Sequence, residues 1–417
     1  MMPIERDTLE AIAADPDDDF PRLVHADELC DSSDPADRVR GEFIRLQIMS
    51  AALPVDHPER PALLESENNL RLRHQAEWTE QLKGLASGFE FRRGFVEAAT
   101  MTVPQFAAGG AKLFDLVPLR RVRFVQVGSR VEQLAKHPLL ERLKELVFCG
   151  SDLSPDGLRH LLRSPHLSGC ESLDLSFNGL DDAAVQLIAN AGTLPNLRTL
   201  LLNDSGRITG AGVTRLSQSA TLPELRHLDL SANAVDGRGL KALLESKSLP
   251  KLEILRLRAN AVGDAGAVAL SESPRLAAML TADPQLDLRQ NRIGDAGVDA
   301  LAKSAFVEGI ESLELSSNAL GDAAAVAIAG RRIPWKLRDL FLGHNRLTDS
   351  GALAIARSAL MKQLSRIDVS SNRLTRRGID ELWHHRRDWT VAIDCEGNVP
   401  GVSGPSGKVR THRSVVS

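Results

Sequence analysis

The stretch IESLELSSNALGDAAAVAIAG, residues 310–330, contains the pattern that decides the fold. In its first part Leu313 and Leu315 alternate with polar residues, which is the period of a half-buried strand. Asn318 follows at a fixed offset, and the segment after it is rich in alanine, as expected for an amphipathic helix. The stretch therefore predicts a strand, a turn and a helix in succession.

The same LxxLxLxxN pattern recurs along the chain at a nearly constant interval. Copies begin at positions 143, 170, 197, 225, 252, 283, 310, 337, 364 and 390. A single strand–turn–helix unit cannot bury its own apolar face, so units at this period must stack. The predicted fold class is an α/β solenoid of about ten repeats, with a curved parallel β-sheet inside and α-helices outside.

Two further positions recur within the units. The asparagine is expected to bond backbone groups of its own turn and of the neighbouring unit. Four residues later, five copies carry an aspartate that is expected to cap the helix of its own unit. These aspartates are Asp182, Asp264, Asp295, Asp322 and Asp349. Small residues after them, such as Gly297 and Gly351, are expected to let adjacent helices pack closely.

Residues 119–398 resemble the ribonuclease-inhibitor-like subfamily of leucine-rich repeats. The resemblance rests on units of 27 or 28 residues and on return segments such as NRIGDAGVDALAK. Ten strands about 4.8 Å apart make an inner face of protein-interface size rather than a small-molecule pocket. The subfamily also includes Ran GTPase-activating proteins, so the resemblance leaves open a regulator of a partner enzyme.

Residues 1–118 form a separate, mainly helical block before the repeats. The string ADPDDDFPRLVHADEL followed by RGEFIRLQ resembles the repeat-companion domain of some bacterial proteins, although that family usually has other residues at His25 and Glu28. FEFRRGFVEAATM alternates like one strand, and RRVRFVQVG like another. The core of the block is expected to include Leu23, Val24, Phe43 and Ile44.

Composition argues against several classes of protein. The net charge is −4, and residues 1–118 carry 12 basic against 22 acidic residues. No stretch is long and apolar enough for a membrane span or a secretory leader, and the four cysteines lack metal or redox spacing, so a cytoplasmic location is expected.

The sequence contains no recognisable catalytic motif. HExxH and GxSxG are absent, and the SGK of the C-terminal tail is not a phosphate-binding loop because Val402 stands where glycine is required. We therefore expect no enzymatic activity, no cofactor, no metal and no small-molecule substrate. Residues 399–417 read as a disordered basic tail.

The exposed positions of the inner strands hold nine acids and four arginines, which argues against nucleic acid as a partner. At the middle exposed position aspartate is the rule and belongs to the scaffold. Departures from that rule, among them Leu201, Arg256 and Phe341, are the leading candidates for contact with a protein partner, and neighbouring positions complete the set. The candidate set is Phe341, His344, Arg256, Arg258, Leu201, Phe177, Asp229 and Asp287. For Arg256, cross-strand ion pairing with Asp229 and Asp287 is an equal alternative.

Two units are irregular. The unit beginning at Leu197 has Ser205 in place of asparagine and one extra residue, and the unit beginning at Leu252 has four extra residues within SESPRLAAMLTADPQ. Such insertions map to loops that are either tolerated or part of a binding rim. The leading hypothesis is a non-enzymatic protein-interaction scaffold, and a weaker alternative is an enzyme whose site lies in residues 1–118.

Overall fold

The computed structural model of the protein describes residues 4–55, 57–331, 336–385 and 392–398. The chain divides into two compact units, Met1–Asn178 and Gly179–Ser417, which are described separately. The predicted tail, residues 399–417, lies outside the described residues.

The first unit opens with helices, as predicted. Its elements up to the repeats are α1 (Arg6–Ala14), α2 (Phe20–Asp31), α3 (Pro35–Ala52), α4 (Arg60–Trp78), β1 (Ser87–Arg92), β2 (Phe95–Thr102) and α5 (Val103–Leu116). The prediction of one strand in FEFRRGFVEAATM is wrong, because β1 and β2 form an antiparallel hairpin across this segment. Arg93 (φ 47°) and Gly94 (φ 86°) are both left-handed at its turn, which is the backbone that a tight hairpin turn requires.

The core of the helical block lies under α2 and α3. Ile12, Leu29, Ile44 and Phe95 are buried together there. Phe43 and Ile44 are buried as predicted, but the expectation for Leu23 and Val24 is wrong, since both are exposed. The reason is that α2 turns other residues inward. The buried residues of α2 are Arg22, His25, Ala26 and Leu29.

Repeat-like strands continue the sheet of the first unit. The remaining elements are β3 (Arg121–Val125), α6 (Val131–Ala135), β4 (Glu145–Val147), α7 (Pro155–Leu161) and β5 (Ser172–Asp174). β2 pairs in parallel with β3, β3 with β4, and β4 with β5. The strand predicted in RRVRFVQVG is therefore confirmed, and it joins the hairpin to the parallel array.

The second unit repeats strand and helix throughout. Its elements are α8 (Asp182–Ala189), β6 (Thr199–Leu201), α9 (Gly210–Leu216), β7 (His227–Asp229), α10 (Gly237–Leu244), β8 (Ile254–Arg256), α11 (Gly263–Ser271), α12 (Pro274–Ala282), β9 (Gln285–Asp287), α13 (Asp295–Lys303), β10 (Ser312–Glu314), α14 (Asp322–Ala329), β11 (Asp339–Phe341), α15 (Asp349–Ala356), β12 (Arg366–Asp368), α16 (Arg376–His385) and β13 (Ala392–Asp394). Strands β6 to β8 are parallel, and β9 to β13 form a parallel five-stranded sheet in chain order. The predicted α/β solenoid is confirmed.

The recurring asparagines form hydrogen bonds between each repeat and the repeat before it. The Asn318 side chain donates from Nδ2 to the carbonyls of Leu288 and Leu315, at 3.0 and 2.9 Å. Its Oδ1 accepts the backbone N–H groups of Asn291 and Ile293, both at 3.0 Å. The side chain therefore satisfies backbone groups of two successive turns, which confirms the role expected from the sequence.

We call the hydrogen bonds of the recurring asparagines the asparagine ladder. The ladder is interrupted at both irregular repeats. The Oδ1 atoms of Asn233 and Asn291 are buried without a hydrogen-bond partner in the described part of the chain. In regular repeats this oxygen accepts N–H groups of the preceding turn. For Asn233 and Asn291 the preceding repeat is the one that carries extra residues.

The second irregularity also opens the sheet. No ladder pairing between β8 and β9 is present in the described strands, and bonding resumes where Ala259 N–H donates to the Arg289 carbonyl at 2.9 Å. Leu255 and Leu286 are half-buried, whereas the equivalent Leu313 and Leu340 are buried. The insertion therefore splays two strands that would otherwise pair.

The aspartates that follow the asparagines do not cap their own helices, so that prediction is wrong. Asp322 is the first helical residue of α14, and the N-cap position before it is Gly321. Its carboxylate instead accepts the N–H groups of Thr348 at 2.7 Å and Gly351 at 3.0 Å, in the next unit. The aspartate stands one residue past the cap, so its side chain reaches the start of the neighbouring helix.

Candidate functional site

The inner face of the five-stranded sheet presents one row of side chains across all five strands. Strand register places Asp287 opposite Glu314, and Glu314 opposite Phe341. Phe341 is opposite Asp368, which is opposite Asp394. We call Asp287, Glu314, Phe341, Asp368 and Asp394 the middle row. Phe341 is thus an aromatic ring with a carboxylate on the strand at each side.

Most acids of this row also have a structural role, as the sequence predicts for the common aspartate. Asp368 Oδ1 accepts the backbone N–H of Ser370 at 2.7 Å, and Glu314 Oε1 accepts that of Ser316 at 2.8 Å. Asp229 does the same for Ser231 at 2.8 Å. These bonds hold the carboxylates on the sheet face in fixed orientations.

Phe341 is held by a cation from the adjacent strand. The guanidinium carbon of Arg366 lies 5.4 Å from the centre of the Phe341 ring, which is within the range of a cation–π interaction. The ring is half-buried, and His344 three residues later is exposed. No ring contact joins Phe341 and His344 among the described aromatic pairs.

His344 occupies a special backbone position. Its φ is 53°, and Phe177, Ala232 and Gln290 have the same left-handed conformation directly before an asparagine. The conformation belongs to the repeat turn, where residues without a bulky side chain are favoured. Phe177, in the first unit, is 57% exposed at such a position, so a large ring stands there at a conformational cost.

Candidates on the three-stranded part lie in register. Leu201 is opposite Asp229, and Asp229 is opposite Arg256. Arg256 and Arg258 are exposed. The structure does not form the predicted ion pairs of Arg256 with Asp229 and Asp287 among the described residues, because Asp229 accepts Ser231 N–H and Asp287 pairs with Arg289, Nη2 to Oδ2 at 2.6 Å.

Two inner-face carboxyl groups are partly removed from water. Burial raises the pKa of Glu314, and Arg289 acts in the opposite direction. Burial also raises the pKa of Asp339, which Arg366 and Arg338 oppose. A cation placed on this face would stabilise the ionised form of both carboxyl groups, because a nearby positive charge favours the carboxylate.

His227 was missed by the sequence reasoning. It precedes Asp229 on β7, and its Nε2 is buried without a hydrogen-bond partner in the described part of the chain. Burial lowers the pKa of His227, and Arg256 lowers it further. In the sequence His227 is one more polar residue at a strand position that is expected to be exposed. The sequence therefore does not indicate that its Nε2 is buried.

Other chemistry has little support in the described residues. Within them, no helix has the length and apolar character needed to cross a bilayer, and no group of three or more His, Cys, Asp or Glu side chains is arranged for a metal ion. Cys170 fills an inward repeat position, where burial raises the pKa of its thiol to about 12.

Comparison with known families identifies the repeats. Six segments match the leucine-rich repeat family. They are residues 171–189, 222–244, 248–271, 285–302, 310–329 and 336–356. The last two of them span β10 with α14 and β11 with α15, so each match is a strand–turn–helix unit. These six segments are similar in sequence to leucine-rich repeats.

Among solved structures, the chain is similar to the yeast Rad7 and Elc1 complex, at TM-score 0.42 and 16% identity over 86% of this chain and 92% of that chain. It is similar to an internalin of Listeria monocytogenes at TM-score 0.34 and 17% identity, covering 62% and 83%. For a TLR13–ssRNA13 complex the values are 0.30 and 18%, covering 62% and 43%. No curated protein matches the chain.

Proposed function

We propose that this protein is a non-enzymatic interaction protein that binds a protein partner on the inner face of its repeats. The observation that carries the proposal is Phe341, a half-buried ring between Glu314 and Asp368 on a sheet of otherwise polar side chains. Aromatic anchors surrounded by polar groups are typical of the residues that dominate binding energy.

The chemistry of the middle row indicates what the partner offers. Four of its five side chains are acidic, and Glu314 is partly desolvated. A partner that places an apolar side chain on Phe341 and lysine or arginine beside it would satisfy both features. The same acids oppose a phosphate backbone, so a protein fits this face better than a nucleic acid.

The remaining candidates extend the proposed surface. Leu201, Arg256 and Arg258 form a less acidic part on β6 to β8, where Asp229 lies between Leu201 and Arg256. Phe177 is proposed as a separate contact of the first unit. Asp287, a member of the middle row, and His344, three residues after Phe341, complete the set of proposed contacts.

The finer classification is part of this proposal. We propose that the array is of the ribonuclease-inhibitor-like kind, on its 27-residue period, and that residues 1–118 form a bacterial companion domain, with 119–398 as the solenoid. A cytoplasmic location is proposed because none of the four cysteines, all of which lie in the described residues, forms a disulfide.

The proposal is tested by affinity capture from a native lysate with wild type and with a Phe341→Ala, Asp287→Lys double variant. Val326→Ser is the matched control, since Val326 is 54% exposed on α14, on the helical side of the repeat. We expect wild type and control to retain the same proteins, released by raised salt, and the double variant to lose them. Equal retention by the double variant would overturn the proposed surface.

A further inference from the structure

The helix α2 has its amphipathic character inverted. Its buried face carries Arg22, which is completely buried and paired with Glu97. Its outer face carries Phe20 at 70%, Leu23 at 36% and Val24 at 41% exposure. Burying a cation while exposing three large apolar side chains costs stability in the isolated chain. Local violations of this kind are characteristic of functional surfaces.

The neighbouring helix α3 extends the same face. Arg45 and Asp27 form an ion pair at 2.5 Å, which fixes the register of the antiparallel helices. One turn further along each helix, Leu23 and Val24 come level with Met49, which is 53% exposed. We call Phe20, Leu23, Val24 and Met49 the hairpin patch.

Acidic side chains lie along the two helices between the hairpin patch and the α2–α3 connection. Glu28, Asp31 and Glu42 are exposed on the same two helices. The exposed cations of these two helices are engaged, since Arg45 is bonded to Asp27 and Arg38 donates to the carbonyls of Ser32 and Ser33 at 2.9 and 3.1 Å. Two cations from other elements are also engaged, since Arg60 donates to the Ser50 carbonyl at 3.3 Å and Arg93 pairs with Asp19 at 3.3 Å. The rim of the patch is therefore acidic.

We infer that the hairpin patch is a second docking surface, whose occupant is a basic amphipathic helix of a partner protein. The apolar side chains at i, i+3 and i+4 of α2 lie on one face of the helix, and with Met49 of α3 they form an apolar surface on a helical pair, onto which an amphipathic helix can lay its apolar face. The acidic rim favours lysine and arginine at the edges of that helix. This inference does not depend on the inner-face proposal.

A second copy of the chain fits this surface less well. Two copies would bring their acidic rims together. The exposed apolar area is also on the order of 400 Å², against about 800 Å² per partner in a stable interface. An anionic membrane is disfavoured by the same rim charge.

The test uses the full-length protein and a fluorescent 18-residue helical peptide with leucine at i, i+3, i+4 and i+7 and lysine on its other side. A second peptide carries glutamate in place of every lysine. We expect the lysine peptide to bind with a Kd of about 100 µM or tighter, and the glutamate peptide at least tenfold more weakly.

Two variants assign the binding to the hairpin patch. Phe20→Ser with Met49→Ser should weaken the lysine peptide at least tenfold, and Asp31→Lys with Glu42→Lys should weaken it by removing the acidic rim. Leu72→Ser is the matched control, because Leu72 is 59% exposed on α4, and it should bind as wild type does. Circular dichroism and thermal melting check that each variant is folded.

Several outcomes would overturn the inference. They are absence of lysine-peptide binding, equal binding of both peptides, and unchanged binding by either double variant. A concentration-dependent dimer that Phe20→Ser with Met49→Ser abolishes would assign the patch to a second copy. Binding to phosphatidylserine vesicles with the same variant dependence would assign it to a membrane.

Discussion

The carboxylate of Asp322 occupies the space that a side chain at Gly351 would need. Asp322 Oδ1 accepts the Gly351 N–H at 3.0 Å, and a Cβ on Gly351 would lie 2.6 Å from the same oxygen. The glycine thus permits the bond that connects two successive helices. The relationship recurs between Asp264 and Gly297, whose N–H donates at 3.1 Å.

This relationship predicts the effect of a small substitution. Gly351→Ala should lower the free energy of unfolding by about 2 kcal/mol or more, because either the carboxylate or the helix must shift. Equilibrium urea unfolding measures the loss. Gly192→Ala is the control, since a Cβ there meets no atom within 4 Å. If both variants melt alike, the steric argument is wrong.

A double variant separates the clash from the lost bond. Asp322→Ala alone should also destabilise, since it leaves the Thr348 and Gly351 N–H groups without their acceptor. Combined with Gly351→Ala, the loss should be smaller than the sum, because the clash is gone. Strict additivity of the two unfolding free energies would contradict direct coupling.

The asparagine ladder predicts that the same substitution lowers the free energy of unfolding by different amounts at Asn318 and Asn291. Asn318 accepts two backbone N–H groups through its Oδ1, whereas the Oδ1 of Asn291 lacks a partner in the described part of the chain. Asn318→Ala should therefore lower the free energy of unfolding by about 1–3 kcal/mol more than Asn291→Ala does. Thermal and urea unfolding measure the difference, and equal losses would show that the interruption at the insertion is not real.

His227 predicts a dependence of stability on pH. Its pKa in the folded state is lowered from the ordinary value of 6.5 by burial and by Arg256. From about one pH unit above 6.5 it is essentially neutral in both states. As pH falls below 6.5 the unfolded chain binds a proton that the folded chain resists, so the free energy of unfolding falls.

The measurement is the pH dependence of unfolding for wild type and His227→Gln. The variant should lose less stability than wild type between pH 6.5 and pH 5, and the two curves should run parallel above pH 7. Arg256→Gln should shift the wild-type curve of unfolding free energy against pH part of the way toward that of His227→Gln, because it removes a charge that lowers the pKa of His227. Identical slopes below pH 6.5 for wild type and His227→Gln would contradict burial of this imidazole.

Much of the fold could be predicted from periodicity, because the repeat imposes one answer many times over. The strands, the helices and the role of Asn318 could be predicted from a sequence pattern that the repeats share. The aspartates were misassigned by one position, since Asp322 lies just past the cap and only the neighbouring unit shows where its carboxylate goes.

Outside the repeats, patterns were less reliable for a physical reason. Leu23 and Val24 look like core residues, but α2 buries Arg22 and His25 through a pairing with the distant Glu97 and contact with Phe95. Such long-range partners leave no local signal. On the inner face, Phe341 could be singled out because it departs from its siblings, whereas its contact with Arg366 required the strand register.

The most direct test of the central claim places a photo-crosslinking residue on the inner face. Benzoylphenylalanine at position 341 and, as control, at position 326 on α14 would be irradiated in native lysate. We expect a crosslinked protein at position 341 alone, through a segment rich in lysine or arginine. A protein crosslinked equally from both positions, or a nucleic acid recovered from position 341, would contradict it.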